Sequence, residues 1–194
     1  MATSSDKQDI QDFYKVASSY DFARIFQFRL RSVPGLGTDQ DKLILAESLS
    51  LPGRAINNIP VPFMGLQFNV PGTASYPGSD SWTITFRCDA DYDLRKAIED
   101  ETILTFDDST SGGDYSIPTE RRALQLDLLN SSFDTVRQYS LLGAYIVSMG
   151  EVSYDIGDGG NIVKIPVTLA YQYWRITDGA SAFGKGGTTR RARF

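Results

Sequence analysis

Asn58-Ile-Pro-Val-Pro-Phe-Met-Gly-Leu-Gln-Phe-Asn-Val-Pro-Gly72, followed closely by Ser81-Trp-Thr-Ile-Thr-Phe86, decides the fold. The first is one long strand-like run, joined by a Gly/Pro/Ser cluster to a second run that alternates apolar and polar residues throughout. A period of two is the period of a strand, whose successive side chains point to opposite faces. In the first run Leu66, Phe68 and Val70 fall opposite Gln67 and Asn69. Pro60, Pro62 and Pro71 lack the N–H that a ladder needs, so this strand is not paired on both sides over its full length. In the second run Trp82, Ile84 and Phe86 take one face, with Thr83 and Thr85 outward; Cys88 keeps the apolar parity and reads as a small buried hydrophobe.

The same alternation recurs outward from this centre. Phe26, Phe28 and Leu30 share a face against Gln27, Arg29 and Arg31, a half-buried strand. Lys42 to Ser50 reads as another, stopped by Leu51-Pro-Gly-Arg54. Leu124, Leu126 and Leu128 mark a further strand, and Thr135 to Met149 is a β-rich run broken near Gly143. Asp155 to Asn161 has the composition of a hairpin turn. The last strand, Asn161 to Ile176, places Val163, Ile165, Val167, Leu169, Tyr171 and Tyr173 on one face.

Helical spacing appears twice. Ile10, Phe13, Tyr14, Val16 and Ala17 predict a short amphipathic helix, and Leu94, Ala97, Ile98 and Ile103 a second between Cys88 and Ile103. The aspartates that precede the second suit its N-cap and the positive end of its dipole. Asp107 to Asp114 is an exposed loop. These elements predict a mainly β domain, an antiparallel sandwich or barrel with one flanking helix, over residues 20–176. Residues 1–19 form an N-terminal extension with a short helix, and 177–194 a flexible basic tail.

Reactive chemistry is sparse. There is no histidine and a single cysteine, so the usual zinc, iron and copper sites are missing, as are Ser-His and Cys-His nucleophile pairs. Asp89, Asp91 and Asp93 open like a calcium loop. Leu94 and Asp100 stand where its glycine and closing glutamate belong, however, and capping explains the acids better. Gly179 to Gly186 matches a phosphate loop until Gly186 replaces its Ser or Thr, and no helix can follow. Trp82, Trp174, Tyr171 and Tyr173 sit within alternating strands, which favours core or subunit contacts over a sugar or base platform. No spacing singles out a catalytic carboxylate pair. The expectation is a protein that is not an enzyme and carries no cofactor or metal.

At 194 residues the chain fits one domain. No apolar run approaches the roughly 20 residues that span a bilayer. The N-terminal residues lack a signal architecture, so the protein is expected to stay in the cytoplasm where it is made. In residues 177–194 four cations oppose one acid, a balance of +3, so the total of −5 leaves −8 on residues 1–176. An acidic body repels phosphate backbones at short range.

Three segments, in order, resemble the tail tube protein family of contractile-tailed bacteriophages. Asp21-Phe-Ala-Arg24 is similar to the family's opening strand, and Val167-Thr-Leu-Ala-Tyr-Gln-Tyr-Trp174 to its final one. Ile59-Pro-Val-Pro-Phe-Met64, with Phe68-Asn-Val-Pro-Gly72 and Trp82-Thr-Ile-Thr85, resembles its central hairpin and following strand. The resemblance spans residues 20–176, with the helix after Cys88 where the family has one. It implies the tube fold shared with the Hcp-like tubes of type VI secretion systems and with phage-like bacteriocins. Subunits of that fold form hexameric rings, joined sheet edge to sheet edge and stacked inside a contractile sheath, and DNA passes through the lumen.

On that resemblance the expected partners are further copies of the chain, the tail sheath protein, and baseplate and tail-terminator proteins. The tape measure protein and genomic DNA are expected in the lumen. The expected location is the tail of a virion assembled in the host cytoplasm. Gln67, Asn69, Thr83, Thr85, Thr168 and Gln172 are candidates for a wetted lumen wall, with a plain solvent face as the alternative. Pro60, Pro62, Phe63 and Met64 are candidates for contacts between subunits. A baseplate tube-initiator, a secretion-system or bacteriocin tube homologue and a small-molecule-binding β-barrel stand as alternatives; the N-terminal helix and Arg-rich tail depart from the simplest family members.

Overall fold

The computed structural model describes residues 10–157 and 159–177. The polar N-terminal residues 1–9, the basic tail from 178 and the phosphate-loop-like Gly179 to Gly186 lie outside them. In chain order the elements are α1 (Ile10–Ser19), β1 (Phe28–Ser32), α2 (Gln40–Leu43), β2 (Ala46–Leu49), β3 (Ala55–Phe63), β4 (Leu66–Ser75) and β5 (Trp82–Arg87). They continue with α3 (Asp93–Thr105), β6 (Phe106–Asp107), β7 (Gly112–Gly113), β8 (Ala123–Leu129), β9 (Thr135–Leu142), β10 (Tyr145–Met149), β11 (Lys164–Ala170) and β12 (Tyr173–Ile176). The fold is mainly β, and all its strand pairs are antiparallel.

Two four-stranded sheets, ordered β1-β8-β9-β12 and β10-β11-β5-β2, carry the core between them. Alternation explains which side chains go in. Leu30, Leu124, Leu126 and Leu141 come from the first sheet; Ile84, Phe86, Ile165, Val167 and Leu169 come from the second, and all are buried. Each such side chain contributes about 1.5–3 kcal/mol by leaving water. Phe86, the largest of those fully buried, is where truncation to alanine would cost most, about 3–5 kcal/mol. α3 lies against β10 and buries Leu94 and Ile98 into the same core.

Several sequence expectations need correction. The run from Asn58 to Gly72, one strand by its alternation, is instead the two-stranded hairpin that the resemblance implied, because the chain reverses at Met64 and Gly65, whose φ values are 47° and 77°. That pair of positive values is what a tight hairpin turn with the right twist requires. Lys42 to Ser50 begins as a turn of helix, capped by Asp39, whose side chain accepts from the Asp41 N–H, and only then becomes β2. The pattern at Phe26 is inverted: the chain turns at Arg24, so Gln27 is buried, accepting from the Arg24 N–H at 2.6 Å, and Phe26 is exposed. The loop 107–114 is framed by the small β6–β7 ladder.

Asp89 is the acid that caps α3, its carboxylate accepting from the N–H groups of Asp93 and Leu94; the helix itself starts at Asp93 rather than at Cys88. Cys88 lies just past the end of β5, half-buried against the core. The run expected as one last strand divides at Tyr171 and Gln172: β11 belongs to one sheet and β12 to the other. β10 stops opposite Pro166 for a local reason. The Pro166 carbonyl faces β10 and accepts from the Gly150 N–H at 2.7 Å, so the N–H that proline lacks would have faced β10 too.

Candidate assembly surfaces

The hairpin β3–β4 pairs only with itself among the described strands. Directly opposed residues share a face, so register divides it sharply. Ile59 with Val70, Val61 with Phe68 and Phe63 with Leu66 make one wholly apolar face. Asn58 with Pro71, Pro60 with Asn69 and Pro62 with Gln67 make the other, polar but uncharged. Neither face packs on the body: the six apolar side chains are 43–64% exposed, and Met64 at the tip is 88% exposed. Residues 55–79 hold no Asp, Glu, Lys or Arg. Near its base the hairpin is tied by Asn57, which bonds Thr73 and Ser75, each at 3.3 Å.

The prolines are placed where they do little harm. A two-stranded ribbon leaves every second N–H of each strand facing outward, which is where a residue without a donor is tolerated. The four residues expected at subunit contacts are thereby separated. Pro60 and Pro62 share the face of Gln67 and Asn69, Phe63 lies on the apolar face, and Met64 stands at the turn.

A second surface is the outer face of the sheet β10-β11-β5-β2. Register sets Ser148, Thr168 and Thr83 in one row across three strands, and Thr83 and Thr168 bring their hydroxyls to 3.4 Å. Ser48, Thr85 and Pro166 form the next row. Charge appears only beyond it, where Glu47 accepts from Lys164 at 2.7 Å and approaches Arg87 at 3.8 Å. The Lys164 hydrogen bond, aided by the nearby Lys164 and Arg87 charges, holds the Glu47 carboxyl below the usual range. Of the six lumen candidates the structure therefore groups Thr83, Thr85 and Thr168 on this face, and Gln67 and Asn69 on the hairpin. Gln172 stands apart at the sheet crossing, its N–H donating to the Leu142 carbonyl at 2.9 Å.

Of the four strand aromatics singled out in sequence, three serve the interior, while Tyr173 carries Arg175 over its ring at 5.0 Å and bonds Glu120 at the surface. Trp82 is buried with its indole N–H on the Ser50 carbonyl, Trp174 packs on Tyr139 and Tyr76 with its N–H on Gly53, and Tyr171 is buried. Two features escaped sequence reasoning. Asp127 has no side-chain exposure, yet its Oδ2 takes Arg29, Arg31 and Thr135 at 2.9, 2.5 and 3.1 Å. α1 buries none of its residues, so the apolar side that its spacing predicts is left open. The second is an outcome of tertiary packing, which periodicity alone does not report.

Among the described residues no group of three or more His, Cys, Asp or Glu is placed to hold a metal ion, and no helix is long and apolar enough to cross a membrane. No protein-family model and no curated protein matches the sequence.

Solved structures do match. The tube-terminating cap of the anti-feeding prophage aligns over 91% of this chain and 98% of its own, with a TM-score of 0.57 at 14% identity. A chain of the PVC sheath–tube complex, an extracellular contractile injection system in its extended state, aligns over 88% and 98%, with a TM-score of 0.54 at 16% identity. A chain of the PVC sheath/tube terminator aligns over 81% and 96%, with a TM-score of 0.54 at 18% identity. These likenesses show the fold, which is that of the tube and terminator proteins of contractile injection systems.

Proposed function

We propose that this chain is the structural subunit of the tail tube of a contractile-tailed phage, acting by assembly and not by catalysis. Copies join in hexameric rings, and stacked rings enclose the lumen through which DNA leaves the virion. The observation that carries this reading is the hairpin β3–β4, whose apolar face is left in water by its own chain. A continuous exposed apolar patch of this kind marks a contact surface, and a ring supplies the same partner at every position. Among the described residues the two sheets have unpaired outer strands, β1 and β12 in one and β2 and β10 in the other, which offer edges that neighbours can close. The hydroxyl rows of Thr83, Thr85 and Thr168 suit a wetted wall, since uncharged side chains neither hold nor strongly repel a passing phosphate backbone. Sheath, baseplate and terminator proteins are the partners such a tube requires outside, and the tape measure protein within.

A second reading, a ring that ends or begins the tube, draws on the likeness to cap and terminator chains. Negative-stain microscopy of the purified protein separates the two. Stacked hollow tubes support the main tube subunit, and single rings that do not stack support the terminal ring. Particles that stay monomeric at high concentration overturn both.

A further inference from the structure

We infer that the apolar side of α1 docks on the apolar face of hairpin β3–β4 of a second copy, so that each subunit holds its neighbour by an exchanged N-terminal helix. The inference rests on the assembly reading and names its contact. α1 presents Ile10, Phe13, Tyr14 and Ala17 at one helical side; the first three are 86%, 61% and 75% exposed. The connection that follows offers no clamp on the helix's own body, for Tyr20 and Phe22 are exposed as well. The two surfaces match in length. A helix of 10 residues is about 15 Å long, and the three apolar pairs from Ile59 to Phe63 extend about 14 Å along the strand.

Charge selects the occupant. Copies that each carry −5 repel one another. The hairpin is uncharged, and α1 carries one acid, Asp12, against one base, Lys15, so these surfaces meet without placing like charges together. Together they offer on the order of 1,000 Å² of apolar surface, the lower bound for a specific protein contact. Among the described residues of one chain both surfaces stay open, whereas a second copy supplies each with its complement, one helix to one hairpin.

Disulfide trapping between separately prepared chains tests this. In a Cys88→Ala background, one chain carries Phe13→Cys and the other, distinguished by size with a tag, carries Val61→Cys; both positions are exposed and neither change touches the core. On mixing and oxidation the mixed disulfide dimer should exceed either homodimer at least tenfold. Pro62→Cys, on the opposite hairpin face, should react at least tenfold more slowly with Phe13→Cys. A random mixture of dimers, a predominance of homodimers, or a doubly substituted chain that closes on itself would overturn the exchange. Microscopy of the same samples keeps the two claims apart: tubes without the mixed dimer sink only this contact, while persistent monomers sink the tube reading as well.

Discussion

Arg31 donates its Nε hydrogen to Oδ2 of Asp127 at 2.5 Å, across strands whose residues lie 96 positions apart in sequence. Arg29 and Thr135 bond the same oxygen. The carboxylate is wholly buried, whereas the two guanidinium groups are 44–45% exposed. A buried charge without its partners is destabilising, and removing both arginines strands one here. The double change Arg29→Ala, Arg31→Ala should cost up to about 3 kcal/mol, the low end for a buried pair because the cations are half in water. Urea unfolding measures it; a loss under about 0.5 kcal/mol would mean that water already screens the pair.

The hairpin should be dispensable for folding and necessary for assembly. Val61→Asp with Phe68→Asp places two carboxylates directly across from each other on the exposed apolar face. The opposed carboxylates weaken the hairpin itself by up to about 1 kcal/mol, but thermal unfolding of the monomer should barely move, since the hairpin does not pack on the core. Light scattering and microscopy should show assembly abolished. Normal tubes from this variant would remove the hairpin from the subunit contacts.

Gly143 turns the chain between β9 and β10 at a φ of +63°, and an added Cβ would come within 2.7 Å of Gln172 Cγ and 3.2 Å of the Pro118 carbonyl oxygen. Gly37 has a similar φ of +61° and open space around it. Both alanine variants carry the left-handed backbone cost of about 1–2 kcal/mol, and only Gly143→Ala adds crowding. Gly143→Ala should therefore unfold at clearly lower urea than Gly37→Ala. Equal midpoints would show that Gln172 simply swings aside.

Acid should loosen the sheet at Glu47. Its carboxyl is held below the usual range, chiefly by the Lys164 hydrogen bond. A group depressed in the folded state binds its proton less readily there than when unfolded. Its stabilising contribution is thus complete above the ordinary carboxylate range and lost as pH falls through the lowered value. Glu47→Gln should flatten that part of the acid-unfolding profile, and an unchanged profile would assign the loss to other carboxylates.

Thr83→Lys with Thr85→Lys should leave ring formation intact, since both side chains point away from the core. If that face lines the lumen, the added cations will hold phosphates, and DNA ejection in an infection assay should fall. Unimpaired ejection takes these threonines out of the wall.

Strict alternation made much of the sandwich legible in sequence. Trp82, Ile84 and Phe86 face inward as their parity requires, and so do Ile165, Val167 and Leu169. Alternation alone hid the hairpin reversal, which the family resemblance implied, because methionine takes a left-handed position, at Met64, that asparagine or glycine usually marks. Gln27 was misplaced because a turn at Arg24 shifts the parity by one residue, which reverses the face of each side chain it touches. The burial of Asp127 depends on arginines brought from a distant strand, and local pattern carries no trace of that. The two faces of β4 were readable from Leu66, Phe68 and Val70 against Gln67 and Asn69; that neither face packs on the body was not, because openness is a property of everything around a strand.

The crossing at Tyr171 and Gln172 makes the domain mechanically lopsided. There the backbone itself runs from β11, hydrogen-bonded on both sides, into β12 of the opposite layer. Force that pulls the layers apart at this end is carried by the covalent chain, and it must first lift the end of β11 out of the ladders on both its sides. At the other end β1 and β2 are the outer strands of their sheets, not paired with each other among the described residues, and the chain passes between them through α2. Under tension the sandwich should gape there first, opening like a book with its spine at Tyr171.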